Sequence, residues 1–423
     1  MSVPNSDVVI IGAGLAGLCC GRRLHQCGIP FQILEASDGV GGRVRTDTVD
    51  GFKLDRGFQV YLPAYPEGKR VLDLPALDLR PFRRGALVRF GGTFHRVVDP
   101  RESFFGAARS LFNPVGTVGD KFRVGRYAAR LLRLPFEKVL EADNRLTLDE
   151  LRWAGGFSPK MIDRFFRPWL GGVTLDPSLA TSSRFGRFVF RMFAEGGAAI
   201  PAQGMGTIPN QIANGLPAGS IRLNSSVAAV DRGEVILQNG ERVRGRAIVV
   251  ATEATAAARL IDGQAATVNF RGSVTLYYSA AKSPVAEPIL ILNGEGEGVV
   301  NSLVVLSDAA PTYAPDGRSL ISASVVGVPA AADAELEREV RTQLQSWFGP
   351  PVSDWKLLRI DRIPYALPDQ SGGVLDSWQR PVRLRPGLYV CGDHRDQASI
   401  DGAMTSGFRT AQAAAEDLHA KRA

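Results

Sequence analysis

The stretch with the clearest chemistry is Gly12-Ala13-Gly14-Leu15-Ala16-Gly17, which directly follows the apolar run Val8-Val9-Ile10-Ile11. A G-x-G-x-x-G turn between a buried strand and a helix is a seat for phosphates. Gly12 permits the tight turn, Gly14 has no Cβ to hold a pyrophosphate away, and Gly17 lets the helix pack close to the strand. The helix, opening at Leu15 and Ala16, aims its first N–H groups at the anion. A second strand, Phe31-Gln32-Ile33-Leu34, ends at Glu35, 18 residues past Gly17. A carboxylate there accepts hydrogen bonds from ribose hydroxyls, with Ala36 as its neighbour in contact. Strand, glycines, helix, second strand and acidic end fall within one unit and predict dinucleotide binding. The alternative is a fortuitous glycine-rich turn.

Four further segments carry chemistry. Gly41-Gly42-Arg43-Val44-Arg45-Thr46 brings adjacent glycine N–H groups toward a diphosphate, and Arg43 adds a charge-assisted contact. Gly57-Phe58-Gln59 lies on a strand. Ile200 to Pro209 contains Pro201-Ala202-Gln203-Gly204-Met205 and precedes a helix and a segment ending at Val227. Near the C-terminus, Gly392-Asp393 ends a strand, and Gly402-Ala403-Met404-Thr405-Ser406-Gly407 opens the last helix.

Together these motifs, which span nearly the whole chain, resemble those of the FAD-dependent amine oxidase, phytoene desaturase and protoporphyrinogen oxidase superfamily. The resemblance implies FAD rather than NAD. It implies an α/β fold with a Rossmann-type FAD-binding domain and an inserted α+β substrate domain, the amine oxidase-like two-domain architecture. It makes Gly57, Phe58 and Gln59 candidates for flavin-ring contacts, against the alternative of a plain hairpin strand, and adds His394. It places the Val227 backbone at the adenine edge and Asp393 at the ribityl or phosphate region. Gly402, Ala403 and Met404 stand where a helix N-terminus meets the pyrimidine end, which suits the negative charge of reduced flavin.

The elements that must position these residues read as follows. Residues 1–79, 201–264 and 385–423 are expected to form a discontinuous FAD-binding domain, and 80–200 with 265–384 a substrate-binding domain. Ile221 to Val227 reads as one strand. Asn239-Gly240 between Val235–Leu237 and Arg242–Arg244 reads as a hairpin. Ala247 to Ala251 reads as a buried parallel strand, 275–279 and 320–326 as strands of a second sheet, and 332–347 as a helix. Asp120 to Leu134 reads as a helix with Arg123, Arg126, Arg130 and Arg133 on one face. Thr147 and Glu150 have the spacing of a capping box. Phe165 to Val173 suits either the wall of an apolar pocket or core packing.

Length and composition set bounds. A chain of 423 residues can hold two or three domains, and 45% hydrophobic with 22% charged residues is ordinary for a soluble globular protein. Cys19, Cys20, Cys27 and Cys391 show neither metal nor disulfide spacing, so no metal site is expected and a reducing, cytoplasmic setting fits. The first strand starts too early to leave room for a signal peptide. Between Arg80 and Arg133, eleven Arg and one Lys stand against Asp99, Glu102 and Asp120. No recognition motif accompanies this charge, so nucleic acid is not expected. Two readings stay open: a solvated arginine face, or peripheral contact with an anionic membrane, aided by Phe104, Phe105, Leu111 and Phe112.

Departures from the amine oxidase pattern direct the functional reading. Aligning Gly272-Ser273-Val274-Thr275-Leu276 puts Leu276 where many monoamine oxidases carry a lysine near flavin N5. Val374, after Ser371-Gly372-Gly373, cannot form the covalent flavin link found in some amine oxidases, so non-covalent FAD is expected. The C-terminal motif and Ile363-Pro364-Tyr365-Ala366-Leu367-Pro368 look more like carotenoid desaturases and protoporphyrinogen oxidases. The expectation is an oxidoreductase that passes two electrons, as hydride to flavin N5, from a largely apolar small molecule. The acceptor would be oxygen or quinone. The alternatives are an FAD-dependent amine oxidase and a flavin-binding protein without turnover. No catalytic residue beyond the flavin is assigned.

Overall fold

A computed structural model describes residues 6–99, 101–102, 110–141, 143–231, 233–261, 268–371 and 377–420. Its first sheet has six strands in the order Arg383–Arg385, Leu388–Val390, Ala247–Val250, Val8–Ile11, Phe31–Leu34 and Ile221–Arg222. All pair in parallel except Arg383–Arg385. Val8–Ile11 lies inside the sheet and is buried along its whole length, which is why it is apolar at every position rather than alternating. On this sheet the Leu15–Gln26 helix packs against the last helix, Ile400–Ala420. The two approach so closely that a Cβ on Gly407 would lie 2.1 Å from the Ala16 carbonyl oxygen.

The second sheet has seven strands, in the order Lys356–Pro368, Phe270–Ala280, Ser319–Val326, Ser302–Val305, Leu290–Asn293, Gly85–Phe90 and Thr93–Val98. Its two faces follow the period of two along each strand. Val274, Leu276 and Tyr278 turn to an apolar core shared with Leu336, Val340 and Leu344 of the Asp333–Phe348 helix. Ser273 and Thr275 turn the other way, into a cavity. The helices Arg167–Thr174 and Ser183–Gly196 wall that cavity. Val118–Arg133 packs on the far side of Ser183–Gly196 through Tyr127 and Phe190, whose ring centroids are 4.9 Å apart.

Two local expectations are corrected. Thr147 caps nothing: its hydroxyl donates to the carbonyls of Thr181 and Ser182, and Glu150 instead pairs with Arg187 and accepts from Tyr127. The reciprocal capping box is two helices earlier, between Thr117 and Asp120 at the start of Val118–Arg133. The segment 221–227 is not one strand. Ile221–Arg222 closes the parallel sheet, and Val227–Asp231 begins a separate antiparallel sheet with Glu234–Leu237 and Arg242–Arg244. Asn224 breaks the run at φ +51°. The hairpin turn at Gly240 has φ +84°, as an Asn-Gly turn requires.

A two-glycine turn, a returning C-terminus and one shared cavity

The three glycines of the first turn have three different surroundings. Gly12 sits at φ +106°, with the Cβ position 3.0 Å from the Ala251 carbonyl oxygen. A Cβ on Gly17 would lie 2.0 Å from the Gly12 carbonyl oxygen, so Gly17 is what lets the helix start against the strand. Gly14 is the reverse case: nothing stands within 4 Å of its Cβ position, and it borders the cavity. As the N-cap it offers no side chain. The first helical N–H groups, at Leu15, Ala16 and Gly17, therefore stay open toward the cavity end that Leu15 and Ala16 line. Gly41 (φ +113°) and Gly42 (φ +59°) lean on the same turn through a 2.8 Å bond from Gly41 N to Ala13 O.

Glu35 is buried and closes this end. Its carboxylate accepts from Ala13 N at 2.7 Å, Ser37 N at 2.9 Å and Ser37 Oγ at 2.7 Å. Glu35, Ala36, Ser225, Ser226 and Val227 all line the cavity. The C-terminal motif arrives at the same place from 350 residues away. Arg43 donates to Asp393 Oδ1 at 2.7 Å and to the Ala366 carbonyl at 2.8 Å, so its guanidinium is held between the C-terminal motif and the Lys356–Pro368 strand. Gly392, Asp393, Ala398, Ser399, Ile400 and Ala403 line the cavity, the last four presenting the start of the final helix.

Three C-terminal candidates and Gly17 do not line it. Gly402 is required by packing, since its Cβ would fall 1.9 Å from the Gln397 carbonyl oxygen. Met404 is a core residue with no exposure. His394, expected at the flavin ring, does not line the cavity: it lies buried behind Gly392, and neither ring nitrogen has a partner among the described residues. Burial pushes the imidazole down to about 4, so it is neutral at pH 7.

The cavity encloses about 1070 Å³ and runs from the glycine turn past Gly57, Phe58 and Gln59 to the second sheet. Gln59 is anchored by donating to the carbonyls of Arg43 and Arg56. Phe58 N donates to Thr275 Oγ1 at 3.1 Å, which ties this segment to the sheet. Behind it, Asp55 accepts from Thr46, Met205 N and Tyr313, and burial raises its carboxyl to about 6. The Leu276 reading is corrected by one residue: Leu276 points to the outer core, and Thr275 is the neighbour that faces the cavity.

Glu35, Arg43, Arg56, Glu253, Arg259 and Asp393 are the charged residues that line the cavity. Glu35, Arg43 and Asp393 flank the glycine turns, Arg56 adjoins Gly57, and Glu253 and Arg259 belong to the Ala254–Leu260 helix and its cap. The remainder is walled by Leu62, Tyr65, Trp169, Val173, Phe185, Val189 and Phe193, with Thr275, Ser302 and Ser324 on the sheet side. Phe185, Val189 and Phe193 recur every four residues, a signal legible in the sequence and not used there. Trp169 and Val173 show that the 165–173 segment serves the wall, while Phe166 is core. The open Gly14 position, the Glu35 carboxylate and Asp393 with the last helix form a cradle that suits a flavin dinucleotide at one end, leaving the apolar end free.

Comparison with known proteins agrees with this layout. Residues 15–415 match the model of a family described as flavin containing amine oxidoreductase. Lysine-specific histone demethylase 2 of Homo sapiens is 49% identical over 57 residues, 13% of this chain and 7% of its own length. Hydroxysqualene dehydroxylase of Sinorhizobium fredii is 23% identical over 460 aligned positions, covering 98% of this chain and 99% of the relative. The fold is shared with a reduced UDP-galactopyranose mutase at a TM-score of 0.72 and 18% identity, covering 96% of this chain and 95% of that one.

Proposed function

This chain belongs to the flavin containing amine oxidoreductase family, and from that premise we propose that it oxidises a largely apolar small molecule, in the manner of a desaturase or dehydrogenase. It is an FAD-dependent oxidoreductase. The observation that carries the finer reading is the cavity wall built by Leu62, Tyr65, Trp169, Val173, Phe185, Val189 and Phe193 with Thr275, Ser302 and Ser324, in which no side chain could pair with an ammonium or a carboxylate. An unpaired charge brought there would lose its hydration without compensation. No lysine is among the lining residues. The alignment over nearly full length with a hydroxysqualene dehydroxylase supports the same direction. Bound FAD supplies the two-electron acceptor chemistry. The chain's own contribution is position and dryness: Trp169, Val189 and Phe193 exclude water, and the Phe58–Thr275 bond fixes the segment between the two ends. None of the four cysteines lines the cavity, which supports non-covalent FAD, while Gly372, Gly373 and Val374 lie outside the described residues. Oxygen or a quinone is the proposed electron acceptor. The division into a cofactor domain (1–79, 201–264, 385–423) and a substrate domain (80–200, 265–384) is part of this proposal.

The test is anaerobic incubation with amines, carotenes and porphyrinogens while the flavin absorbance is followed. Bleaching by an apolar compound is expected. Rapid bleaching by amines alone would replace this reading with amine oxidation. A photoreduced flavin that neither oxygen nor quinone reoxidises would replace it with flavin binding without turnover.

An apolar substrate is best delivered without crossing water, and the reading extends to peripheral contact with an anionic membrane. No helix of the described residues is long and apolar enough to cross a membrane. Phe112, Phe122 and Trp153 are 85%, 68% and 77% exposed. Their three segments are linked to one another. Lys121 donates to Asn113 at 3.1 Å beside Phe112, and Asp120 holds the Ser158 backbone and hydroxyl just beyond Trp153. Arg126, Arg130 and Arg133 are exposed on the helix face of Phe122 and make no ion pair with a described residue, whereas Arg123 is drawn to Asp120 at 3.3 Å. Phe104 and Phe105 lie outside the described residues.

A further inference from the structure

The cavity face of the second sheet carries a row of hydroxyls that the oxidation of a hydrocarbon does not need. In the strand register Thr275 is opposite Ser324, and Ser324 is opposite Ser302. Three adjacent strands thus present three hydroxyl side chains side by side, with cross-strand Cβ spacings of roughly 5 Å. All three line the cavity. One residue along, on the outer face, the matching row is Leu276, Ala323 and Leu303, wholly apolar. The hydroxyls are therefore confined to the side that meets ligand.

Their partners differ. Thr275 Oγ1 accepts from Phe58 N and is committed to holding that segment. The Ser324 and Ser302 hydroxyls make no hydrogen bond with a described residue, although Ser302 is only 7% exposed. Beside them Asn301 is fixed by donating to the Pro168 carbonyl at 3.0 Å. A buried hydroxyl facing an apolar wall is costly unless a ligand or water satisfies it. The row continues on the next strand into Asp361, opposite Thr275, but that carboxylate is paired with Arg359 at 2.8 Å and neither residue lines the cavity, so the two serines themselves favour a neutral partner.

We propose that Ser302 and Ser324 bind a neutral oxygen function, a hydroxyl or carbonyl, borne by an otherwise apolar substrate, and so set how far that substrate slides along the cavity. This rests on the apolar reading of the site. A hydroxyl accepts from one serine while donating to the other, and the pair then selects which carbon lies nearest Phe58 and the cofactor end.

The experiment titrates FAD-loaded protein with 1-dodecanol and with dodecane in a fixed detergent, reading the perturbation of the flavin absorbance band. The quantity compared is the ratio of the two affinities, in the parent and in a Ser302→Ala/Ser324→Ala variant, so that partition into detergent cancels. Two lost hydrogen bonds predict a fall in alcohol preference of roughly tenfold. A Ser302→Thr/Ser324→Thr variant, which keeps both hydroxyls, should retain the preference. Flavin content and melting temperature check that each variant is folded. An unchanged ratio in the alanine variant, with dodecane still bound, overturns this inference and leaves the apolar site standing. Failure of both ligands to perturb the flavin overturns the inference and the apolar reading together.

Discussion

Replacing Gly14 by valine separates binding from folding. Gly14 has φ −71° and ψ 176°, values open to any L-residue, and its Cβ position meets no protein atom within 4 Å. The apoprotein should therefore accept Gly14→Val without strain. The added carbons project instead into the cavity, over the open N–H groups of Leu15 and Ala16. A diphosphate pushed away from two of these loses hydrogen bonds worth about 1.5–3 kcal/mol each to a charged acceptor. The sum, about 3–6 kcal/mol, is a loss of FAD affinity of about 10²- to 10⁴-fold. Flavin-stripped parent and variant, titrated with FAD by protein fluorescence quenching, give the two dissociation constants directly. Their melting temperatures without FAD should agree. With FAD at a hundred times the parental dissociation constant, the parent should gain about 2.7 kcal/mol and the variant almost nothing. Equal FAD affinity in the two proteins would refute the placement of the pyrophosphate at this turn. By contrast, Gly17→Ala must destabilise the apoprotein itself, because its Cβ meets the Gly12 carbonyl oxygen at 2.0 Å.

Other outcomes follow from the same geometry. His394 titrates near 6.5 when unfolded and about 4 when folded, so stability is lost as pH falls from 6.5 toward 4, by up to about 3 kcal/mol. Urea unfolding of His394→Leu should show a shallower decline in that window and the same pH dependence as the parent above pH 7; an identical decline would remove His394 as the cause. Benzylamine and polyamines should leave the flavin oxidised under anaerobic conditions, since none of the aromatic and aliphatic residues that wall the cavity from Leu62 to Phe193 offers a carboxylate. Asp393→Ala, which frees Arg43 from its 2.7 Å partner, should lower flavin occupancy on purification, and full occupancy would show that this pair does not shape the cradle. Flotation with anionic vesicles at low salt should be weakened by salt and by replacing Arg123, Arg126, Arg130 and Arg133 with glutamine. Phe122→Ser/Trp153→Ser should weaken it further, whereas equal recovery on neutral and anionic vesicles leaves these arginines as solubility residues.

The phosphate-binding turn was legible because its requirements are local: strand, glycines and helix follow one another within a few residues. Arg43 was recognisable by type, but its partner Asp393 was not, because the contact spans 350 residues. The Leu276 reading failed for a different reason. A strand alternates faces at every step, so an alignment uncertain by one residue reverses which side chain meets the ligand. Thr147 and Glu150 had the right spacing for a cap, yet the carbonyls of Thr181 and Ser182 and the Arg187 guanidinium offered stronger partners. His394 follows the Gly-Asp pair, but the sharp backbone at Gly392, φ +147°, turns it behind the cavity. The serine row could not be read at all, because Ser302 and Ser324 become neighbours only through the pairing of their strands.

The Arg43–Asp393 pair also has a consequence for biogenesis. The strand Val8–Ile11 finds one sheet partner, Phe31–Leu34, soon after, but its other partner begins at Ala247 and the helix that packs on Ala16 begins only at Ile400. At translation rates of about 5–20 residues per second, the nascent chain waits roughly 20–80 seconds before residue 393 exists. Through that interval the glycine turn has no C-terminal wall, and a flavin meeting it would find half a site. Cofactor loading thereby waits on the synthesis of residue 393, and chains terminated before it should emerge as colourless polypeptides. Premature termination would then be visible in the cell as a missing chromophore rather than as a slow enzyme.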